Sequence, residues 1–387
     1  MLSSSRPTGS ARATRSRALI DGLAAVLRGE DVAWRALAAT PGEVLQACID
    51  EDLTCLVHRR LCSLRGDWPI SLRDELARRS SADAATELLR RREIVAALET
   101  LASEDIRPIL LKGTALAYVL YDEPHMRPRC DTDLLVRRED VDRVRLAMSK
   151  LSYIAPTYCD GELLFCQFAL EKTDDFGVDH AFDFHWKIST QPIFVNVMAY
   201  HEVADCARPV PALGPHARSA GPVHALLLAC IHPVMHHRNV QRLIWIYDLH
   251  LLASRLSESE LGRFLELAVE TGVASICARQ LIVARARFGT PIPDDAIARL
   301  AACRNVEPSS AYLRPARRWR HEMVSSIRGL QRWTDRLRLL REVLLPSRDY
   351  MMRAYRLPPV AVNSILLPIL YAHRLVRGGF RIVTGQK

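Results

Sequence analysis

The sequence lacks the cysteine pattern of a disulfide-bonded or zinc-binding protein. Its ten cysteines include no CxxC pair and do not resemble a disulfide framework. Cys48, Cys55 and Cys62 recur at heptad intervals, so on a helix they would share one face as small buried side chains. A zinc site would need closer pairs together with histidines. We therefore expect reduced thiols and a cytoplasmic protein.

The sequence also lacks a signal peptide and a run long enough to cross a membrane. Residues 1–17 are rich in Ser, Arg and Thr, contain no apolar segment, and are predicted to be disordered. The last apolar run, residues 357–371, contains three prolines and is shorter than the roughly 20 residues of a spanning helix. We predict no transmembrane span, and no internal repeat is evident.

The excess of basic over acidic residues is confined to the C-terminal end. Residues 313–387 carry 16 lysines and arginines against 4 acidic residues, a balance of +12 in a chain whose net charge is +9. The rest of the chain is therefore close to neutral, at −3. This distribution disfavours sequence-specific DNA binding by the core. The basic tail could contact an anionic partner or the surface of the inner membrane, or serve only solubility.

Hydrophobic periodicity predicts an α+β protein in which strands are confined to the middle of the chain. Apolar residues at helical intervals indicate a helical region over residues 18–98, and the period changes at Ile106. A core of strands and short helices is expected over 99–200, followed by a helical domain over 201–310 and a basic helical tail over 311–387. Predicted strands cover residues 107–112, 130–136, 153–158, 163–170 and 178–188.

Two acidic residues on one predicted strand suggest a metal site. Asp131 and Asp133 are two residues apart, so their side chains point to the same face of the strand. Neighbouring carboxylates repel each other, and a divalent cation such as Mg²⁺ removes that cost. Upstream, Lys112-Gly113-Thr114 forms a small-residue turn that opens a helix, where free backbone N–H groups can bind phosphate. The combination predicts a metal–nucleotide site.

A third acidic residue should complete this site from a neighbouring strand. Asp183 is the best candidate, because it lies within the apolar stretch 181–186, where an unpaired carboxylate would be costly. His185 shares its face of the strand. An Asp-x-Asp pair alone is a weak signal, but the upstream turn and the downstream Asp183 together make it specific.

These motifs resemble an uncharacterised bacterial nucleotidyltransferase family of the polymerase-beta superfamily. The similarity lies in Leu111-Lys112-Gly113-Thr114-Ala115-Leu116, Arg127-Pro128, Asp131-Thr132-Asp133-Leu134-Leu135-Val136 and Phe182-Asp183-Phe184-His185-Trp186, and further along in His232 and Trp245 to Asp248. The resemblance implies a small mixed-sheet polymerase-beta-like nucleotidyltransferase core, flanked by N-terminal and C-terminal helical regions. It also implies transfer of an NMP from an NTP to an acceptor that the sequence does not identify.

The resemblance further implies roles for individual residues. Asp131 and Asp133 would hold two Mg²⁺ ions, with Mn²⁺ as an alternative, and Asp183 would ligate the second ion and help deprotonate the nucleophile. Gly113 and Thr114 would bind the β- and γ-phosphates of the NTP. Three basic residues have two open interpretations each. Lys112 is a phosphate ligand or a surface charge, and Arg127 and Arg129 are phosphate ligands or partners of Asp122 or Glu123.

Three further points stay open at the level of sequence. A noncatalytic protein that binds a nucleotide or a regulatory partner on the same fold is the alternative function. His232 and His236 have a metal-compatible spacing beside His237, although a core-polar or cleft-facing role is favoured over zinc. Asp248 lies in an apolar helix, so we expect it to pair with a His or an Arg.

Overall fold

A computed structural model describes most of the chain. It covers residues 9–63, 67–154, 166–189, 197–237, 239–305 and 307–314, a few positions between 190 and 196, and parts of the tail, chiefly 332–346 and 366–384. In this part of the chain, a mixed sheet is surrounded by helices.

Four helices precede the sheet. They are α1 (Gly9–Leu27), α2 (Pro41–Asp50), α3 (Thr54–Ser63) and α4 (Ile70–Ser103). Helix α1 begins inside the segment 1–17 that we predicted to be disordered, and residues 1–8 lie outside the described part. Its alanines and arginines are good helix formers. Helix α2 begins with a capping box between Thr40 and Glu43, which satisfies two backbone donors at its start.

The sheet has six strands in the order β3-β4-β2-β1-β6-β5. The elements of this region are β1 (Ile109–Leu110), α5 (Lys112–Leu120), β2 (Thr132–Leu135), α6 (Val141–Ser149), β3 (Gln167–Thr173), β4 (Asp179–His185), α7 (Tyr200–Asp205), β5 (Arg208–Pro209) and β6 (Arg218–Ser219). Strand β2 pairs in parallel with β4 and antiparallel with β1, so the sheet is mixed, as expected.

The structure changes three details of the sequence prediction. Lys112 is the first residue of α5 and does not end the preceding strand. In the segment 153–158, Ile154 forms an isolated bridge with Glu171, and residues 155–158 lie outside the described part. Strands β5 and β6 lie beyond residue 200, and β6 pairs with β1, so the sheet extends into the region predicted to be wholly helical. Each has only two residues, too few to show a period.

The helices after the sheet share one core with those before it. They are α8 (Pro222–His236), α9 (Leu243–Ala253), α10 (Glu258–Glu270), α11 (Ala274–Phe288), α12 (Asp294–Ala301), α13 (Trp333–Leu344) and α14 (Leu366–Thr384). Leu23 and Val57 belong to the same buried cluster as Ile231 and Leu281. In addition, the backbone N–H of Leu243 donates to the Glu51 carboxylate. The two helical regions are therefore packed together.

The two faces of the sheet pack on different helices. Leu134, Phe182 and Phe184 lie in a second buried cluster with residues of α4 and α6. Side chains alternate along a strand, so Asp133, Asp183 and His185 point to the opposite face. On that side, Leu135 packs in the core that contains α8 and α9. The acidic residues therefore face the C-terminal helices.

The predicted apolar run 357–371 is described only from residue 366, where α14 begins. None of the helices in the described ranges combines the length and apolar character needed to cross a membrane.

Candidate active site

Asp133 and Asp183 face each other on the two central parallel strands. In the β2–β4 register Asp133 is the direct partner of Asp183, and Leu135 is the partner of His185. Asp133 is only 3% exposed, whereas Asp183 keeps partial contact with solvent. The amide of Gln167 on β3 donates to Asp183 Oδ2 at 3.2 Å. Strand pairing therefore brings together two carboxylates separated by 50 positions in the sequence.

Two nitrogen groups converge on one oxygen of Asp133. Lys112 Nζ lies 2.6 Å from Asp133 Oδ1, and His185 Nε2 lies 2.8 Å from the same atom. Lys112 has a φ of +46°, in the left-handed region that non-glycine residues seldom adopt. Such strain is characteristic of functional sites. The backbone at the start of α5 thus places an ammonium group over the carboxylates, and Lys112 is not a surface charge.

The charges of this site shift the pKa values in opposite directions. Burial alone would raise the pKa of Asp133, but Lys112 and His185 outweigh it and hold this pKa below its usual range. Burial, together with the charges of Asp133 and Asp131, raises the pKa of Asp183 to about 6. Burial and the neighbouring Asp133 also raise the pKa of Asp131. Lys112 is insufficient to neutralise all three acids, so the site favours an additional cation.

The donor set fits a divalent metal. One ligand atom each from Asp133, Asp183 and His185 lie within 4.8 Å of one another, and no other such group occurs in the described ranges. Carboxylate oxygens suit Mg²⁺, and an added imidazole suits Mn²⁺ and other transition metals. Of the predicted triad, Asp131 does not belong to this group, although its charge acts on Asp183. It precedes β2 and is less buried than Asp133.

The predicted phosphate-binding turn is held by buried hydrogen bonds. The Thr114 hydroxyl is fully buried, accepts a hydrogen bond from Arg129 Nε at 2.9 Å, and donates to the backbone carbonyl of Asp131 at 3.1 Å. Arg129 in turn binds Glu87 at 2.7 Å. Thr114 therefore fixes the turn against the segment that carries Asp131, and its hydroxyl is already engaged.

Gly113 leaves space beside the start of α5. A Cβ atom at this position would lie 3.5 Å from Arg129 Cβ and 3.7 Å from Arg127 Nη1, which are ordinary van der Waals distances. Packing within the protein therefore does not require glycine here. The small residue is compatible with close approach of a ligand to the backbone.

Arg127 forms a buried ion pair with Asp248 of α9. Its Nη2 and Nε atoms lie 2.8 and 2.9 Å from Asp248 Oδ2, and the Tyr121 hydroxyl donates to Asp248 Oδ1 at 2.6 Å. The expected pairing of Asp248 with a basic residue is confirmed. The alternative pairing of Arg127 with Asp122 or Glu123 is wrong. The ion pair connects the segment before β2 to the C-terminal helices.

Four rings form a second cluster near the site. His232 and His236 of α8, His237 directly after it, and Trp245 of α9 have neighbouring ring centroids 4.6–5.6 Å apart. Burial, followed by the positive charge of Lys112, lowers the pKa of all three histidines. Within the described residues, the group able to hold a metal includes none of these histidines.

The sequence predicted Lys112 and His185 near the site, but it did not predict that both would contact Asp133. His185 had a detectable signal, because it shares a strand face with Asp183 two residues away. The Lys112–Asp133 contact depends on the left-handed backbone of Lys112 and had no signal in the sequence.

Comparison with known families agrees with this geometry. The family described as "Uncharacterised nucleotidyltransferase" matches residues 38–289, and the chain belongs to this family. The match covers the strands that carry Asp133 and Asp183, the turn at Gly113, and helices α8 and α9. Among curated proteins, none matches the chain. The family and the site together support a transferase that uses a nucleotide.

Proposed function

We propose that the protein transfers an NMP from an NTP to an acceptor hydroxyl or related nucleophile, with the help of divalent metal ions. The observation that carries this proposal is the register of β2 and β4, which sets Asp133 opposite Asp183 beside Lys112. Such a buried cluster of carboxylates is costly to maintain unless cations bind it. Membership of a nucleotidyltransferase family supports this class of reaction.

The proposed metal ligands are Asp133 and Asp183, with Asp131 and His185 next to them. Mg²⁺ is the first choice because oxygen atoms dominate the set, and Mn²⁺ is the alternative that His185 favours. A bound ion would supply positive charge to the triphosphate and lower the pKa of the attacking group. Asp183, which is more exposed than Asp133, is the proposed group that accepts the proton of the acceptor.

The start of α5 is the proposed phosphate site. The backbone N–H groups of Gly113 and its neighbours would bind the β- and γ-phosphates. Lys112 would stabilise phosphate charge once a metal shares the negative charge of Asp133. We assign Thr114 and Arg127 to positioning this turn, because the contacts of both side chains are internal.

The test is transfer of label from each α-labelled NTP, with Mg²⁺ or Mn²⁺, in the presence of a lysate that contains acceptors. Wild type is compared with Asp133→Asn and Asp183→Asn. Asp175→Asn, in the exposed turn between β3 and β4, is the matched control. We expect labelled product from wild type and control, and loss of at least about 100-fold in either site variant.

The alternative function, a noncatalytic protein that binds a nucleotide or a partner, gives a different result. Equilibrium dialysis would then detect Mg–NTP binding without label transfer under any metal or acceptor condition. If wild type and Asp133→Asn transfer label equally, the proposed active site is wrong.

A further inference from the structure

The ring cluster of His232, His236, His237 and Trp245 has an open side. His236 and His237 are exposed, while His232 and Trp245 are half-buried. The closest pair, His237 and Trp245, has ring centroids 4.6 Å apart and an interplanar angle of 37°. Trp245 also lies 5.5 Å from the guanidinium carbon of Arg242. We call these four rings the aromatic shelf.

The shelf adjoins the carboxylates. His236 interacts with the backbone of Ile188, which lies three residues after His185 on the same chain segment. The charge of Lys112 acts on all three histidines, and that of Asp133 acts on His232. The amide of Gln191 donates to the backbone carbonyl of Met235, which further joins the segment after β4 to the end of α8. The segment after β4 therefore connects the shelf to the strand that carries Asp183 and His185.

The chemistry of the shelf suits a flat, uncharged ring. Burial and Lys112 lower the pKa of His236 to about 4 even though part of its ring contacts solvent, so this imidazole is neutral at pH 7. His232 and His237 shift in the same direction. Neutral imidazole and indole faces bind ligands by stacking. The rings themselves carry no fixed charge, and the neighbouring Arg242 is paired with Asp52 at 2.8 Å.

We infer that the aromatic shelf binds the nucleobase of the NTP by stacking, while the start of α5 holds its phosphates. This inference rests on the proposed function and adds the part of the substrate that the carboxylates do not contact. Because stacking engages the face of a base, it tolerates all four bases. The shelf therefore contributes affinity for nucleotides in general and little selectivity among bases.

The experiment separates base binding from phosphate binding. Titration calorimetry in Mg²⁺ compares ATP with inorganic tripolyphosphate, which carries the phosphates without a base. The test variant is His236→Ala/His237→Ala, because both residues are exposed and their loss spares the core. Trp245→Phe is the conservative variant, which retains an aromatic face. The exposed His216→Ala, away from the shelf, is the matched control.

We expect the double variant to bind ATP about tenfold more weakly and tripolyphosphate unchanged within about twofold. Trp245→Phe and His216→Ala should stay close to wild type. If the double variant binds both ligands more weakly to the same extent, or binds ATP as tightly as wild type does, the inference that the shelf binds the base is wrong. If wild type binds tripolyphosphate as tightly as ATP, the shelf does not bind the base, but the proposed phosphate site is still supported. If wild type binds neither ligand, both this inference and the proposed function fail.

Discussion

Replacing Asp183 by Asn should make the metal-free protein more stable. The substitution preserves the shape of the side chain and an oxygen that can accept the hydrogen bond from Gln167. It removes one of the negative charges that crowd around Asp133. A site built for function commonly stores this kind of unfavourable energy. The expected gain in stability should be matched by a loss of metal binding.

The magnitude follows from the pKa of Asp183. Burial and the charges of Asp133 and Asp131 raise it from 3.8 to about 6. Each pKa unit corresponds to about 1.4 kcal/mol, so the full cost of ionising this carboxylate in the folded state is about 3 kcal/mol. Partial exposure screens the charge, and we therefore expect a gain of about 1–2 kcal/mol.

The direction of the pKa shift of Asp183 determines the pH range in which its charge affects stability. A carboxyl group with a raised pKa binds its proton more tightly in the folded state, so stability falls as pH rises from about 4 to about 6. Above pH 6 the folded protein bears the full free-energy cost of ionising Asp183. Asp183→Asn should thus match wild type near pH 4 and exceed it at pH 8.

Urea unfolding at pH 4 and pH 8, with EDTA present, measures this difference. Asp175→Asn, in the exposed turn, controls for the loss of one surface carboxylate. Adding Mg²⁺ at pH 8 should stabilise wild type and leave the variant unchanged. The reasoning is refuted if Asp183→Asn is less stable than wild type at pH 8 in EDTA, or if its advantage does not depend on pH.

Three other perturbations test the surroundings of the site. Gly113→Ala should have the melting temperature of wild type, because a Cβ atom fits at this position. Calorimetry should show that it binds Mg–ATP about tenfold more weakly. Unchanged affinity would mean that the backbone at Gly113 does not bind phosphate. Asp248→Asn should lower the free energy of unfolding in urea by about 3–5 kcal/mol, since it leaves Arg127 buried without its charged partner; a loss below about 1 kcal/mol would contradict this. The full chain should float with anionic vesicles but not with neutral ones. Trp333→Ser/Leu337→Ser removes two exposed apolar side chains of the arginine-rich helix α13 and should reduce the fraction of protein that floats. Equal flotation of the variant and wild type would exclude α13 as the membrane contact.

Local patterns in the sequence were sufficient to predict much of the region around the candidate site. The alternation of a strand correctly separates Asp133 from its neighbours Thr132 and Leu134, and the apolar surroundings of Asp183 mark it as a residue that needs a partner. The helices from α8 to α12 follow their apolar period closely. These features depend on residues near each other in the chain, where periodicity is informative.

Contacts between distant segments could not be predicted in the same way. Nothing in the sequence indicated that Leu243 would bind Glu51 and unite the two helical regions in one core. Strands β5 and β6 are too short to show alternation, so the sequence did not predict that β6 pairs with β1 and β5 with β6. The partner of Arg127 was not predicted for the same reason, because Asp248 is 121 positions away in the sequence, whereas Asp122 and Glu123 are close by.

Long-range contacts connect the candidate site to helices on both sides of the sheet in the sequence. Thr114 and Arg129 connect the turn at Gly113 to α4 through Glu87, and Arg127 connects the adjoining segment to α9 through Asp248. This region is thus held in place by residues that precede the sheet in the sequence and by residues that follow it. Because strained and repulsive groups persist only when their surroundings over-determine them, the left-handed Lys112 and the crowded carboxylates depend on this double support. Loss of either buried ion pair should therefore disturb metal binding at Asp133 before it unfolds the chain.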